Sequence, residues 1–188
     1  MPAKESSFEI MKYFEELLKA MTVISKNKKV IFLGQSIEYP GTAMTNTLKF
    51  VSKNQKLELP VAEEMQMGIT LGMSLNGMIP VSIYPRWNFL LCSINQLVNH
   101  VDKISPMSFG KYKSNIIIRT SVGSQNPLHP HCQHVGNFSK PIQIMCKNIE
   151  IIQLKNPKDI VKSYLKALNR KDGKSTLLVE FGDYYNAK

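Results

Sequence analysis

Three short stretches of the chain carry side chains that could do chemistry. The first is Glu63-Glu64, set just behind Pro60. Proline suits the opening turn of a helix, and carboxylates there complement the positive end of the helix dipole. The second is His129-Pro130-His131-Cys132-Gln133-His134, three imidazoles and a thiol within six residues. Such a set could bind a metal. No further ligand group stands at zinc-like spacing, however, and four donors on one short loop seldom close a tetrahedron, so no metal site is expected. Cys132 would be a nucleophile only with its thiolate stabilised, and is read as filling space. The third is Trp87-Asn88-Phe89, which contains the only tryptophan and offers aromatic faces for stacking or for the core.

The elements that must position these residues alternate. Ser6 and Glu9 form a capping box for a first helix to Ile24, with Phe8, Met11, Phe14, Leu18 and Met21 on one face. Val30–Gly34 is a short apolar run, as expected of a strand buried on both sides. A turn-rich stretch leads to a helix around Met44 to Ser52, then a strand from Lys56 to Leu59. A helix opens at Pro60 and stops at Asn76-Gly77, with Gly68 and Gly72 in its interior. Interior glycines cost ~1 kcal/mol each relative to alanine, which implies that something packs close to that face. Further strands are expected at Pro80–Tyr84, Asn115–Thr120, Ile149–Leu154 and Thr176–Phe181. Helices are expected from Asn88 to Ile104 and after Asn156-Pro157, with Ser121–Lys140 as a loop. This alternation predicts a doubly wound, mostly parallel α/β sheet flanked by helices, with its sites at the carboxyl ends of the strands. With no linker or repeat in its 188 residues, the chain reads as a single domain, 1–188.

Composition excludes several classes. Hydrophobic residues make up 43% and charged residues 20%, so the chain can build a core. Its formal charge of +10 raises nucleic acid as a partner. The lysines are scattered, though, with Lys26-Asn27-Lys28-Lys29 the densest run, and only Arg86, Arg119 and Arg170 are arginines. Lysine is the poorer reader of bases and phosphates, so a solvated lysine surface and no nucleic acid are expected. Three cysteines without CxxC spacing argue for a reducing compartment. The N-terminus resembles no signal peptide and no run approaches a membrane span, so a soluble, cytoplasmic protein without a membrane partner is expected.

The stretch from Pro60 to Ile104 resembles the pyrimidine-binding domain of transketolase-like, thiamine-diphosphate-dependent enzymes. It is nearest to the beta subunit of pyruvate and branched-chain 2-oxo acid dehydrogenases. The resemblance rests on Pro60–Glu63, Gly68 and Gly72, Gly77 and Pro80, Trp87-Asn88-Phe89, and Gln96, with Gly34 and Arg119 fitting more loosely. It implies that Glu63 is the carboxyl that shares a proton with the cofactor's pyrimidine N1′ and so activates it. It implies that Phe89 lies against the pyrimidine ring and that Trp87 is either a pocket wall or a surface anchor. Glu64 is expected to face elsewhere. His131-Cys132-Gln133 matches the family's His-small-Gln segment, making His131 the active-site histidine, with His134 and His129 as alternatives because the loop length differs.

Two departures shape the expected assembly. The family's Gly-Asp-Gly with paired asparagines, which holds the metal and diphosphate, is absent. Mg2+ and the diphosphate are therefore expected on a partner chain carrying that motif, in an α2β2 heterotetramer. The chain also ends where the dehydrogenase subunits continue into a C-terminal domain. That favours a compact decarboxylase, a carboligase or a split transketolase acting on a 2-oxo acid or ketose. The alternative is a catalytically degenerate structural or regulatory partner.

Overall fold

The structure, a computed structural model, describes residues 7–39, 42–126 and 129–185, with side chains from Tyr13 onward. The expected capping box of Ser6 and Glu9 lies outside what is described, as do the side chains of Phe8 and Met11. Six strands form one sheet: β1 (Val30–Gly34), β2 (Lys56–Glu58), β3 (Ile79–Ile83), β4 (Ile117–Val122), β5 (Ile149–Gln153) and β6 (Ser175–Phe181). Their order is β2-β1-β3-β4-β6-β5, and every neighbouring pair is parallel. A parallel sheet needs both faces covered, because its crossover helices lie there.

The residues that cover those faces fall into two clusters. On one face, α1 (Ser7–Ile24) and α7 (Pro157–Leu168) bring Leu17, Met21, Ile160 and Tyr164 against Val30, Phe32, Val81 and Leu178. On the other face, α3 (Glu63–Leu75), α4 (Trp87–Leu91) and α6 (Ser139–Met145) bring Met67, Trp87, Leu90 and Ile142 against Ile118, Leu177 and Val179. Each fully buried aliphatic side chain contributes ~1.5–3 kcal/mol. Consecutive residues Leu177 and Leu178 fall in opposite clusters, the alternation expected of a strand buried on both sides.

Several boundaries differ from the sequence expectation. The helix expected from Met44 to Ser52 is a single turn, α2 (Ala43–Asn46), capped by Thr42 and followed by turns. The helix expected to open at Pro60 begins at Glu63, without a capping side chain on Ala62. The long helix expected from Asn88 to Ile104 is broken. After α4 the chain turns at Ser93, whose hydroxyl bonds back to the Leu90 carbonyl, and winds into a π-helical stretch at Gln96–Val101. Each wide turn accommodates an extra residue and rotates the chain beyond it. Asp102 is thereby buried, where it accepts the Asn148 amide at 2.6 Å. A last short helix, α5 (Ile104–Met107), leads into the turn before β4. Nor is the loop from Ser121 to Lys140 a loop throughout, since α6 starts at Ser139, whose amide Asn137 caps. The interior glycines of α3 are not crowded by the described residues. A Cβ on Gly68 would meet only Gln96 at 3.9 Å, and one on Gly72 would meet nothing within 4 Å.

Candidate active site

Glu63 opens α3, just beyond the carboxyl end of β2, and is half-buried. Its helix is held to β3 by a polar network. Gln66 Nε2 donates to Ser82 Oγ at 3.1 Å and to the Ile83 carbonyl at 3.0 Å. Thr70 Oγ1 donates to the Gln66 carbonyl at 2.7 Å and lies 3.0 Å from Ser82 Oγ. Tyr84, buried and held in its phenol form by desolvation, donates to the Glu63 carbonyl at 3.3 Å. These bonds hold the start of α3, and with it the Glu63 backbone, against β3. That carboxylate itself makes no hydrogen bond or ion pair among the described residues. Glu64, by contrast, is exposed and accepts a bond from Asn95 at 2.8 Å, so it faces away as expected. Sequence reading missed Gln66, Thr70, Ser82 and Tyr84. The only available signal was Gln66 and Thr70 four residues apart on one helical face.

The aromatic pair separates. Trp87 is 0% exposed and packs edge-on to Phe138, ring centroids 6.0 Å apart, so the surface-anchor alternative does not hold. It supports the site from the core. Phe89 is half-buried and stands at the edge of the same cluster. Across from it lies His134, centroid to centroid 5.4 Å. His134 Nδ1 is buried and finds no partner among the described residues. Desolvation, and then the nearby Arg86 charge, lower its pKa below the ordinary 6.5.

His131 is placed differently. It is exposed, and its amide donates to His129 Nδ1 at 3.0 Å, with the two rings 5.9 Å apart. Of the three candidates, His134 is the one the fold brings to Phe89. Its position is set at the loop root, where the Gly123 amide donates to the His134 carbonyl at 3.0 Å. Asp183 anchors the outgoing end by accepting the Gln125 and Asn126 amides at 2.7 and 3.0 Å. Cys132, read from sequence as filling space, is exposed instead. Among the described residues no His/Cys/Asp/Glu cluster could hold a metal ion.

Beside these residues lies a cleft of about 240 Å³, lined by Thr42, Arg86, Ser121, Ser124, Gly182 and Tyr185 among others. It lies at the carboxyl ends of β3, β4 and β6, where an open α/β sheet places its ligands. The Arg86 guanidinium has no hydrogen bond or ion pair among the described residues. Tyr185 Oη is buried there, also without a partner among them. Underneath, Arg119 and Glu180 form a fully buried bidentate pair at 2.8 and 3.0 Å. Arg119 also donates to Thr47 Oγ1 at 3.2 Å, and Tyr164 donates to Glu180, so β4, β6, α2 and α7 meet at one network. Glu58 performs a similar task in the β1–α2 loop, accepting the amides of Ser36, Ile37 and Glu38 at 2.6–2.9 Å.

The fold and site thus define a doubly wound α/β domain with a carboxylate, an aromatic face and an imidazole at the carboxyl edge of its sheet. Residues 7–183 match the family model "Transketolase, pyrimidine binding domain", and the chain belongs to that family. It is 25% identical over 186 residues to the pyruvate dehydrogenase E1 component subunit beta of Staurastrum punctulatum, covering 95% of this chain and 54% of the relative. It is 23% identical over 168 residues to the 2-oxoisovalerate dehydrogenase subunit beta of Bacillus subtilis (strain 168), covering 86% and 49%. The chain spans about half the length of the curated relatives it matches. Among solved structures, a split gene transketolase described as an inactive beta4 tetramer superposes with a TM-score of 0.69 at 14% identity, over 89% of this chain and 50% of the other.

Proposed function

We propose that this chain is the pyrimidine-domain subunit of a two-chain, thiamine-diphosphate-dependent enzyme acting on a 2-oxo acid or ketose. Decarboxylase, carboligase and transketolase chemistry all fit this reading. The observation that carries it is the half-buried Glu63 carboxylate, without a hydrogen bond or ion pair among the described residues, at the start of a helix that Gln66 and Thr70 bond to β3. A structural helix-start carboxylate needs no such scaffold.

The residues present fit a flat nitrogen heterocycle. Glu63 can share a proton with a ring nitrogen, Phe89 offers an aromatic face, and the orphaned His134 Nδ1 can accept or donate a proton. When bound, thiamine diphosphate supplies the nucleophilic carbon that adds to the substrate carbonyl. Glu63 would hold the proton shared with the cofactor's aminopyrimidine. His134, whose pKa is lowered by desolvation and by Arg86, would accept or donate a proton through its unpartnered Nδ1. Arg86 supplies the cleft's positive charge toward a substrate carboxylate or phosphate.

Completion by a second chain is supported by what surrounds Glu63. Val61 is 79% exposed, and Met65 is also exposed, so apolar side chains stand uncovered on either side of a carboxylate that works best in a dry pocket. The partner in this reading carries Gly-Asp-Gly and paired asparagines, holds Mg2+ and the diphosphate, and joins this chain as α2β2. The split gene transketolase neighbour, described as an inactive beta4 tetramer, accords with that requirement.

The test is an affinity pull-down of the tagged chain from its native lysate with thiamine diphosphate and Mg2+, read by mass spectrometry. Recovery of a chain bearing Gly-Asp-Gly and paired asparagines is expected. Recovery of this chain alone, with no cofactor bound, would overturn the proposal and leave a catalytically degenerate partner.

A further inference from the structure

The lysines that look scattered along the sequence are gathered by the topology. In an all-parallel sheet, every loop that enters a strand lies at the same end, away from the candidate active site. Across the sheet, Lys53 precedes β2, and Lys26, Lys28 and Lys29 precede β1. Lys111 and Lys113 precede β4, Lys171 and Lys174 precede β6, and Lys147 precedes β5. All of them are exposed. Five interstrand steps of ~4.8 Å make this a basic row ~24 Å long.

No described carboxylate in these loops is free to offset it. Asp102 is buried against Lys103 and the Asn148 amide, and Asp172 is taken by Arg170 at 2.8 and 2.9 Å. The loops also touch one another. A Cβ on Gly173, before β6, would lie 3.1 Å from Lys113 Cγ, before β4, and Gln55 Nε2 donates to the Asn27 carbonyl at 3.1 Å.

Near the middle of the row is an apolar tip. At the end of α5 Met107 is 71% exposed, and in the turn that follows Phe109 is 94% exposed, with Tyr112 exposed beyond them and Lys111 and Lys113 interleaved. The composition discriminates among anionic partners. Nucleic-acid readers rely on arginine, and the one arginine here, Arg170, is bonded to Asp172 and Glu150. Protein interfaces are depleted in lysine. Interspersed lysines around a protruding Phe, Met and Tyr suit a layer of anionic headgroups, which lysine attracts as a point charge and an aromatic enters.

We infer that this end of the domain docks on an anionic lipid surface, with Phe109 in the headgroup layer and the lysine row lying over it. The inferred contact is with the membrane surface; among the described residues no helix is long and apolar enough to cross a membrane. It does not depend on the proposed catalysis, which uses the other end of the sheet.

The test is co-sedimentation of the full chain with vesicles of phosphatidylcholine alone, or of phosphatidylcholine with phosphatidylserine, at low and at physiological salt. Binding to the anionic vesicles only, weakened by salt, is expected. Lys111→Ala with Lys171→Ala should lower the partition roughly 30-fold. Phe109→Ser should lower it roughly tenfold or more with the melting curve unchanged. Failure to bind anionic vesicles, a Phe109→Ser variant that binds as the parent does, or preference for a single-stranded oligonucleotide at equal salt would each overturn the inference.

Discussion

The imidazole of His134 faces the ring of Phe89, 5.4 Å between centroids and tilted by 39°. This places a titratable nitrogen beside the aromatic face proposed for the cofactor, whereas His131 sits exposed against His129. Removing His134 should therefore cost the assembled enzyme ~10²-fold or more in kcat, the usual worth of a positioned proton-transfer group. Asparagine is the substitution to use, because His134 adopts φ +64° and asparagine tolerates that region. His131→Asn should leave kcat within a few-fold. Steady-state kinetics of both variants check the assignment.

Arg86 should hold His134 neutral. Desolvation comes first and the Arg86 charge second in lowering the imidazole pKa, so NMR titration should place its midpoint below 6.5. Arg86→Ala should move it upward. For stability, the unfolded imidazole takes up its proton near 6.5 while the folded one resists until lower pH. His134 thus favours the folded state above about 6.5, and that contribution is lost as pH falls through this window toward the lower folded value. Denaturant midpoints measured across the window should decline on acidification, and less steeply in His134→Asn.

The Arg119–Glu180 pair is 0% exposed on both sides and is shared with Thr47 and Tyr164. Arg119→Met leaves a buried carboxylate without its cation and should cost ~3–5 kcal/mol of unfolding free energy. Adding Glu180→Leu should restore part of that loss rather than add to it. Urea titrations of the two single variants and the double variant close the cycle.

Cysteine reactivity should divide two to one. Cys92 and Cys132 are exposed, while burial pushes the Cys146 thiol up to about 11. Iodoacetamide near pH 8 should modify two thiols in the native chain and the third only on unfolding, as counted by intact mass.

Much of the fold was legible because short apolar runs and helix caps are local signals. β1 falls at Val30–Gly34 as read, and Gly34 is required there, since at φ +147° a Cβ would meet the Ile83 carbonyl at 2.5 Å. The start of α7 was likewise announced by Asn156-Pro157, and the asparagine caps Lys158 N. The π-helical stretch at Gln96–Val101 was not legible, because its apolar residues also satisfy an ordinary 3.6-residue repeat. Among the candidate site residues, Glu63 and Phe89 were singled out by the motif resemblance from Pro60 to Ile104. The place of His134 depends on backbone turns at His131 and His134, both at positive φ, that no periodicity encodes. The basic row was invisible for a different reason: its lysines fall at one end of the domain only after six strands have been laid side by side.

The most direct test of the central claim is Glu63→Gln in the complex assembled with its partner chain, with turnover and thiamine-diphosphate affinity measured together. Glutamine keeps the size of the side chain and its place at the start of α3 but cannot share a proton as the acid does. The expected result is kcat reduced by ~10²-fold or more, with assembly intact and the cofactor still bound. Turnover within a few-fold of the parent would contradict the account, because Glu63 would then be only the carboxylate that complements a helix end.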